Sequence, residues 1–308
     1  MPRVDANSGF DLAMKIMTFL MIAFGVFTHG NLFGGIPTVA LLLIAVGLFG
    51  IPHGAFDYAV AKKEGLISTR RSAVLFLGAY LCLAAGSFFL WMVLPVVGLT
   101  LFLTLSVWHF SHDWQARGGL FRSAMALLVV FGPLVFWPQL VLGYFDVLLF
   151  GQLPAVSPDA LKIFGGLLTA LCILACGIKL LKRQWHDLLE GVLLLAGVVL
   201  YEPLIFFVIY FCGLHSVRSL AQLRVRLGGA GISFLLQGLL PSVLTYGLGM
   251  GAYFLLPAVD SDTGALRVIF IGLFALTVPH LLLDTWIDVL RASSGRKCSD
   301  DMVATISV

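Results

Sequence analysis

Charged side chains are scarce in this sequence, and their scarcity argues against a water-soluble domain. Only 11% of the 308 residues are Asp, Glu, Lys or Arg, whereas soluble domains carry roughly 25%. Hydrophobic residues make up 60% of the chain, and the mean hydropathy is +1.02. The sequence therefore predicts an integral membrane protein. The net charge of +3 is small and its positive residues cluster between apolar segments, so no nucleic-acid partner is predicted.

The sequence also lacks the signals of several other classes. Its five cysteines are scattered and form no CxxC pair, which argues against a zinc site or a disulfide framework. The first apolar segment has no small-residue cleavage site behind it, so we expect a retained helix and no signal peptide. No internal repeat or low-complexity stretch is present. Residues 1–308 are predicted to form a single integral membrane domain.

Long apolar segments are abundant, and they predict an all-α fold. A spanning helix needs about 20 mainly apolar residues. On that basis the fold is a polytopic membrane helix bundle with about ten transmembrane helices. The seventh and eighth are divided only by Tyr-Glu-Pro, so nine spans is the alternative count. The predicted segments are 12–29, 35–59, 73–94, 96–116, 123–143, 160–181, 187–201, 203–221, 232–256 and 266–290.

The charges between these segments alternate in a way that supports ten spans. Every second connection is basic, and the alternate connections hold no Lys or Arg but do hold acidic residues such as Asp146 and Glu202. The positive-inside rule places the basic connections in the cytoplasm. Both termini are therefore predicted to be cytoplasmic.

Four histidines on four different predicted helices lie at a similar depth. Each stands eight to eleven residues before the basic residue that ends its segment, or roughly 12–17 Å at 1.5 Å per residue. Polar groups at such depth are costly and usually face the bundle interior or a cavity. The four are His53, His109, His215 and His280.

Two interpretations of this histidine layer remain open. Each histidine can be an ordinary interhelical hydrogen-bonding residue, or the four together can bind a metal, for which imidazole is well suited. Asp57, Asp113 and Asp284 each follow a histidine by four residues. They are predicted either to accept the second ring N–H of a ligand histidine, more plausibly one on a neighbouring helix, or to neutralise arginines such as Arg218.

Aromatic residues flank the candidate ligands. An apolar aromatic tunnel inside a bilayer would suit a lipid-soluble, polyene-like substrate, although aromatic residues are also common in ordinary membrane helices. The candidate tunnel residues are Phe56, Trp108, Phe110, Tyr210 and Phe211.

Four short blocks carry a family resemblance that extends over most of the chain. They are GIPHGAFDY (50–58), WHFSHDW (108–114), YFCGLHSVRS (210–219) and VPHLLLD (278–284). In this order and spacing they resemble the histidine blocks of the Brp/Blh family of membrane-bound β-carotene 15,15'-dioxygenases. The resemblance implies a non-haem Fe(II) enzyme that splits the central double bond of β-carotene with O2. The products would be two molecules of all-trans-retinal, which a rhodopsin would accept. The enzyme would lie among the lipids of a prokaryotic cytoplasmic membrane.

The resemblance also implies a ligand set, and one position departs from it. It matches His53, His109 and His215 to iron ligands, but Ser219 stands where the family usually has a fourth histidine. Serine is a poor ligand for Fe(II). We expect His280 to replace the missing ligand, with His112 as the alternative; no other catalytic residue is predicted beyond the metal site.

Two other functions compete with the dioxygenase. A non-catalytic carotenoid-binding, retinal-binding or rhodopsin-assembly protein is favoured by Ser219. A proton or metal transporter would use intramembrane His and Asp, but the chain has no inverted repeat and no matched pair of interrupted helices. Membrane di-iron desaturases are a further enzyme class, and the HxxxH and HxxHH boxes that they need are absent.

Overall fold

The computed structural model describes residues 15–18, 20, 38–228 and 231–293, apart from the side chains of His53 and Ser293. The first predicted span, 12–29, lies largely outside these residues, as do both termini. The described residues form helices and turns and contain no strand. In chain order the elements are α1 (Thr38–Ala45), π1 (Val46–Gly50), α2 (Ile51–Gly54), α3 (Asp57–Lys63), α4 (Arg70–Val93), α5 (Pro95–Ser111), a 3-10 helix (His112–Arg117), α6 (Gly119–Phe136), α7 (Pro138–Leu148), α8 (Pro158–Leu181), α9 (Trp185–Leu200), α10 (Pro203–Phe207), π2 (Val208–His215), α11 (Ser216–Leu227), α12 (Ile232–Leu255) and α13 (Ser261–Ser293).

Local sequence signals explain where several helices begin. At the start of α4, the Thr69 hydroxyl accepts the backbone N–H of Ser72, and the Ser72 hydroxyl accepts the backbone N–H of Thr69. This reciprocal cap satisfies two donors that the first turn leaves without helical partners. Helices α5, α7, α8 and α10 each begin with proline, whose fixed φ suits a first turn and whose missing N–H costs nothing there.

Six helices in the described part of the chain are long and apolar enough to cross a membrane. They agree with six of the predicted segments, and the all-helical fold is thereby confirmed. The total of ten spans and the cytoplasmic termini stay predictions. The six are Arg70–Val93, Gly119–Phe136, Pro158–Leu181, Pro203–Leu227, Ile232–Leu255 and Ser261–Ala292.

One predicted segment, 123–143, is divided in the structure. Helix α6 ends at Phe136, Trp137 is non-helical at φ −130° and ψ 51°, and Pro138 begins α7. Proline disfavours the helical conformation of the residue before it, which explains the break. Hydropathy alone does not register such a break, because both halves are apolar.

Three elements leave regular α-helical geometry next to predicted site residues. Segment π1 precedes the block that contains His53 and Asp57, the 3-10 helix contains Asp113, and π2 ends at His215. Such departures from α geometry are frequent at functional sites because they change the direction in which side chains point. The largest apolar core cluster contains residues of all three elements, among them Val46, Trp114 and Tyr210, and also Phe110 and Phe211.

Candidate metal centre

His109 and His215 come together at the centre of the site. Their Nε2 atoms lie 3.1 Å apart and their ring centroids 4.8 Å apart. His109 is near the end of α5, and His215 is the last residue of π2. Although 106 positions separate them in the chain, the two histidines thus direct their Nε2 atoms toward each other.

A buried carboxylate fixes the protonation of His215. The Nδ1–H of His215 donates to Asp113, whose two carboxylate oxygens are each 3.1 Å away. Since an ionised carboxylate only accepts hydrogen bonds, Nδ1 carries the proton of this bond, which leaves Nε2 as the nitrogen that a metal ion can bind. The side chains of His215 and Asp113 are 5% and 10% exposed, so this pair is largely shielded from solvent and lipid.

His280 has the same kind of partner on a different helix. Its Nδ1–H donates to Asp57, with 2.8 and 3.0 Å to the two carboxylate oxygens. Its ring centroid is 5.4 Å from that of His109. Helix α13 therefore brings a third imidazole beside that of His109, and an aspartate of α3 accepts its Nδ1–H.

The donors in this region suit a divalent first-row metal ion. Two nitrogens bound to one ion at ~2.1 Å, about at right angles, lie roughly 3.0 Å apart, close to the separation of the His109 and His215 Nε2 atoms. Imidazoles that are backed by carboxylates are a usual donor set for iron, copper or zinc. Among the side chains that the structure describes, no three His, Cys, Asp or Glu donors lie close enough to share one ion. The side chain of His53 is outside that set.

The other predicted site residues are placed as follows. The backbone of residue 53 lies in α2, four residues before Asp57. His112 is exposed, and its Nδ1 contacts the backbone oxygens of Trp108 and His109 at 3.0 and 3.1 Å. Asp284 lies one turn after His280 on the same helix, with Oδ2 3.5 Å from Nε2. Ser219 is partly buried on α11, one turn after His215.

Four of the five predicted tunnel residues are buried and pack against one another or a neighbour. Phe211 stacks on the His215 ring at 5.7 Å, and Phe110 meets the same ring edge-on at 4.9 Å. Phe56 stacks on Phe234 at 4.5 Å. Trp108 differs, because 41% of it is exposed. These aromatic rings hold the histidine ring from two sides, and their role as a tunnel stays a prediction.

A buried ionic cluster lies behind Asp113. Glu190 is fully buried and accepts hydrogen bonds from Trp114 (2.9 Å), Arg117 (2.5 Å) and Arg218 (2.6 Å). Trp114 is the residue after Asp113, and Arg218 follows His215 by three residues. The carboxylate of Glu190 therefore ties together the two segments that carry the Asp113–His215 pair.

Sequence reasoning missed two residues of this region. Tyr80 donates its hydroxyl to Asp57 at 2.8 Å, and Glu190 forms the ionic cluster. A glutamate inside an apolar segment is a detectable signal, since buried charge in a membrane helix is rarely without a role. Tyr80 carries no such signal, because tyrosine is ordinary in a membrane helix.

Comparisons with known proteins agree with the sequence blocks. A family model described as beta-carotene 15,15'-dioxygenase matches residues 44–288. A protein of an uncultured marine bacterium (66A03) named beta-carotene 15,15'-dioxygenase is 31% identical over 268 residues, which cover 82% of this chain and 94% of the relative. A Halobacterium salinarum protein named probable beta-carotene 15,15'-dioxygenase Blh is 24% identical over 297 residues, which cover 81% of this chain and 84% of the relative. No solved structure matches the chain.

Proposed function

The chain belongs to the β-carotene 15,15'-dioxygenase family, and on that premise we propose that it cleaves β-carotene at the central 15,15' double bond. The co-substrate is O2, the products are two molecules of all-trans-retinal, and the metal is Fe(II). The enzyme is a single multi-pass domain of a prokaryotic cytoplasmic membrane. The observation that carries the proposal is the pair of His109 and His215, with Nε2 atoms 3.1 Å apart and a buried aspartate on the far nitrogen of His215.

The proposed ligands are His109, His215 and two further histidines. His53 is supported by the family block that contains it. His280 is supported by its position beside His109 and by the Asp57 carboxylate on its Nδ1. With Ser219 in the usual fourth-ligand position, His280 would complete the set from α13.

Fe(II), when bound, would supply open coordination positions at which O2 is activated. The residues of the chain bind the metal, orient its ligands and keep water away. Asp113 and Asp57 hold the Nδ1 protons of His215 and His280, so that each ring presents Nε2. Phe110 and Phe211 cover the His215 ring and exclude water from it.

The chain need not provide an acid or a base for this reaction. Both atoms of O2 become the aldehyde oxygens of the two retinal molecules, and the electrons come from the cleaved double bond. The task of the protein is therefore to place one particular bond of the polyene next to the metal. Trp108 immediately precedes His109 and is 41% exposed, so we propose that the polyene approaches along it. A rhodopsin is the proposed acceptor of the retinal.

Expression in cells that accumulate β-carotene tests this function. The unmutated chain is expected to bleach the cells and to give retinal by chromatography, whereas His109→Ala and His215→Ala are expected to give none. His186→Ala is the matched control, because His186 is an exposed histidine at the start of α9 and outside the predicted site.

The same experiment separates the competing function. Ser219 favours a non-catalytic carotenoid-binding protein, which would retain β-carotene in the purified protein without forming retinal. That result for the unmutated chain would exclude the dioxygenase. Retinal formation by His280→Ala at the unmutated rate would remove His280 from the ligand set and leave the activity assignment intact.

A further inference from the structure

Two tyrosine hydroxyls stand behind the two aspartates in the same arrangement. Tyr210 donates to Asp113 at 2.9 Å, and Tyr80 donates to Asp57 at 2.8 Å. Each aspartate in turn accepts the Nδ1–H of a histidine, His215 or His280. The site thus contains two Tyr–Asp–His chains built from different helices.

We propose that Tyr80 and Tyr210 are positioning residues for the metal-binding histidines, each acting through its aspartate. The proposal rests on the proposed metal site, and it assigns a role to two hydroxyl groups that bond to the aspartates. A carboxylate with one hydrogen bond can rotate about its Cβ–Cγ bond. A second donor from a fixed direction holds the carboxylate plane, and with it the imidazole.

Burial gives the tyrosine hydroxyls their importance. The side chains of Asp57 and Asp113 are each 10% exposed, so water has little access to satisfy their remaining lone pairs. A buried carboxylate that lacks hydrogen-bond donors is unfavourable, and a hydroxyl donor reduces this cost. Each tyrosine therefore stabilises the ionised aspartate that accepts the Nδ1–H hydrogen bond of the histidine.

The tyrosine rings are themselves held by aromatic neighbours. Tyr210 stacks on Trp114 at 6.1 Å and on Phe206 at 6.4 Å, with interplanar angles of 14° and 15°. Tyr80 contacts the ring of Phe76 at 6.0 Å. A ring that is fixed in this way presents its hydroxyl from one direction, as a positioning role requires.

The π-helical geometry of π2 explains how Tyr210 and His215 reach the same aspartate. The two residues are five positions apart, and in a regular α-helix they would point roughly 140° away from each other at 100° per residue. In a π-helix the hydrogen bonds run between residues i and i+5, which brings such residues to the same side. The backbone N–H of Ser216 bonds to the oxygen of Phe211, five residues earlier. This local winding lets one short segment hold Asp113 from two directions.

The test removes only the hydroxyl groups, in Tyr210→Phe and Tyr80→Phe. Fe(II) affinity of the purified full-length protein is measured by titration, and the coordination geometry is followed by the visible absorption of Co(II) bound in place of iron. Loss of an outer hydrogen-bond partner usually weakens metal binding by about 10–100-fold. Since the hydroxyl acts one step further out, we expect about 3–10-fold weaker binding and a changed Co(II) spectrum.

Tyr246→Phe is the matched control. The Tyr246 hydroxyl donates to the backbone oxygen of Gly47 at 2.6 Å, so this variant also loses a tyrosine hydrogen bond, but one that holds no aspartate. Its metal affinity and Co(II) spectrum are expected to equal those of the unmutated protein. The thermal unfolding of each metal-free variant is recorded as well. An equal loss of affinity in all three variants, in step with lower stability, would overturn the proposal.

A double variant shows whether Tyr210 acts through Asp113. In the Asp113→Asn background, Tyr210→Phe is expected to cause little further loss, because the two changes remove the same interaction. Full additivity would overturn the proposal.

His215→Ala separates this inference from the proposed metal site. If His215→Ala loses the metal and both Tyr→Phe variants bind it normally, the site is correct and the positioning role is wrong. If His215→Ala binds metal like the unmutated protein, the proposed site is itself wrong, and the positioning role fails with it.

Discussion

His215 donates its Nδ1–H to Asp113, a residue 102 positions earlier in the chain, at 3.1 Å from both carboxylate oxygens. The bond joins the end of a π-helix to a 3-10 helix, so neither residue is oriented by a regular helix alone. It determines which nitrogen of His215 faces His109.

This hydrogen bond predicts a large effect of Asp113→Asn. The amide keeps the size of the aspartate but removes its negative charge, which weakens the hold on the Nδ1 proton. We expect iron affinity to fall by about 10–100-fold, measured as metal bound per protein after dialysis against buffered Fe(II). Asp159→Asn is the control, because Asp159 forms only an exposed pair with Lys162 in the described part of the chain. Unchanged iron content in Asp113→Asn would show that Asp113 does not support the ligand.

The cluster around Glu190 predicts a strong effect on stability. Glu190→Ala leaves Arg117, Arg218 and the Trp114 N–H without their buried acceptor. Breaking a buried ion pair from one side costs about 3–5 kcal/mol, and we expect a loss of this order in the free energy of unfolding. Reversible denaturation in detergent micelles is the measurement. Asp159→Ala, which breaks an exposed pair, is expected to change it by less than about 1 kcal/mol.

A side chain at Gly50 is expected to disturb the packing around His215. A Cβ atom at Gly50 would lie 2.7 Å from Cε1 of Phe211, and Phe211 stacks on His215. Gly50→Ala therefore displaces the ring that stacks on His215, and we expect a stability loss of about 1–3 kcal/mol together with weaker metal binding. Gly47→Ala in the same π-helix has open space around its Cβ and is expected to leave the metal affinity unchanged. Equal metal affinity in the two variants would contradict the prediction.

The contact of Glu64 with Arg226 and Arg291 is expected to be sensitive to acid, and Glu64 lies outside the spanning segments. Burial opposes ionisation of Glu64, but hydrogen bonds from Arg291 and Arg226 outweigh it and hold the pKa of its carboxyl below the usual 4.5. Because the folded pKa is lowered, the stabilisation is fully present above the usual pKa and is lost as the pH falls through the folded pKa. The thermal unfolding temperature of the unmutated protein is expected to fall toward that of Glu64→Gln as the pH is lowered from about 7 to about 3. A constant difference between the two proteins over this range would contradict the prediction.

Much of the architecture follows from the sequence, because lipid imposes a simple requirement. A segment in the bilayer must satisfy its backbone hydrogen bonds internally, so apolar length alone identifies a helix. The break at Trp137 and Pro138 and the two π-helical segments were not predicted. The first depends on the backbone preference of the residue before a proline, and the others depend on how neighbouring helices pack.

The candidate site divides in the same way. The sequence placed His109, His215 and His280 at one depth, since depth follows from counting residues along helices of known rise. It could not determine how the helices are rotated about their axes, and this rotation decides which histidine faces which carboxylate. Asp57 and Asp113 each follow a histidine on their own segment, yet in the folded chain each bonds to a histidine of another segment.

By itself the sequence determined the membrane class, the helical fold and the family, because composition, apolar length and short motifs are local properties of the chain. Only the tertiary structure decided that Tyr80 bonds to Asp57 and that Tyr210 and His215 both bond to Asp113. It also decided that Glu190 bonds to Trp114 and Arg218, next to the Asp113–His215 pair. These pairings join residues from 23 to 102 positions apart or depend on a π-helical turn. Long-range packing and local winding, which apolar length and short motifs do not reveal, therefore determine the orientation of the histidines.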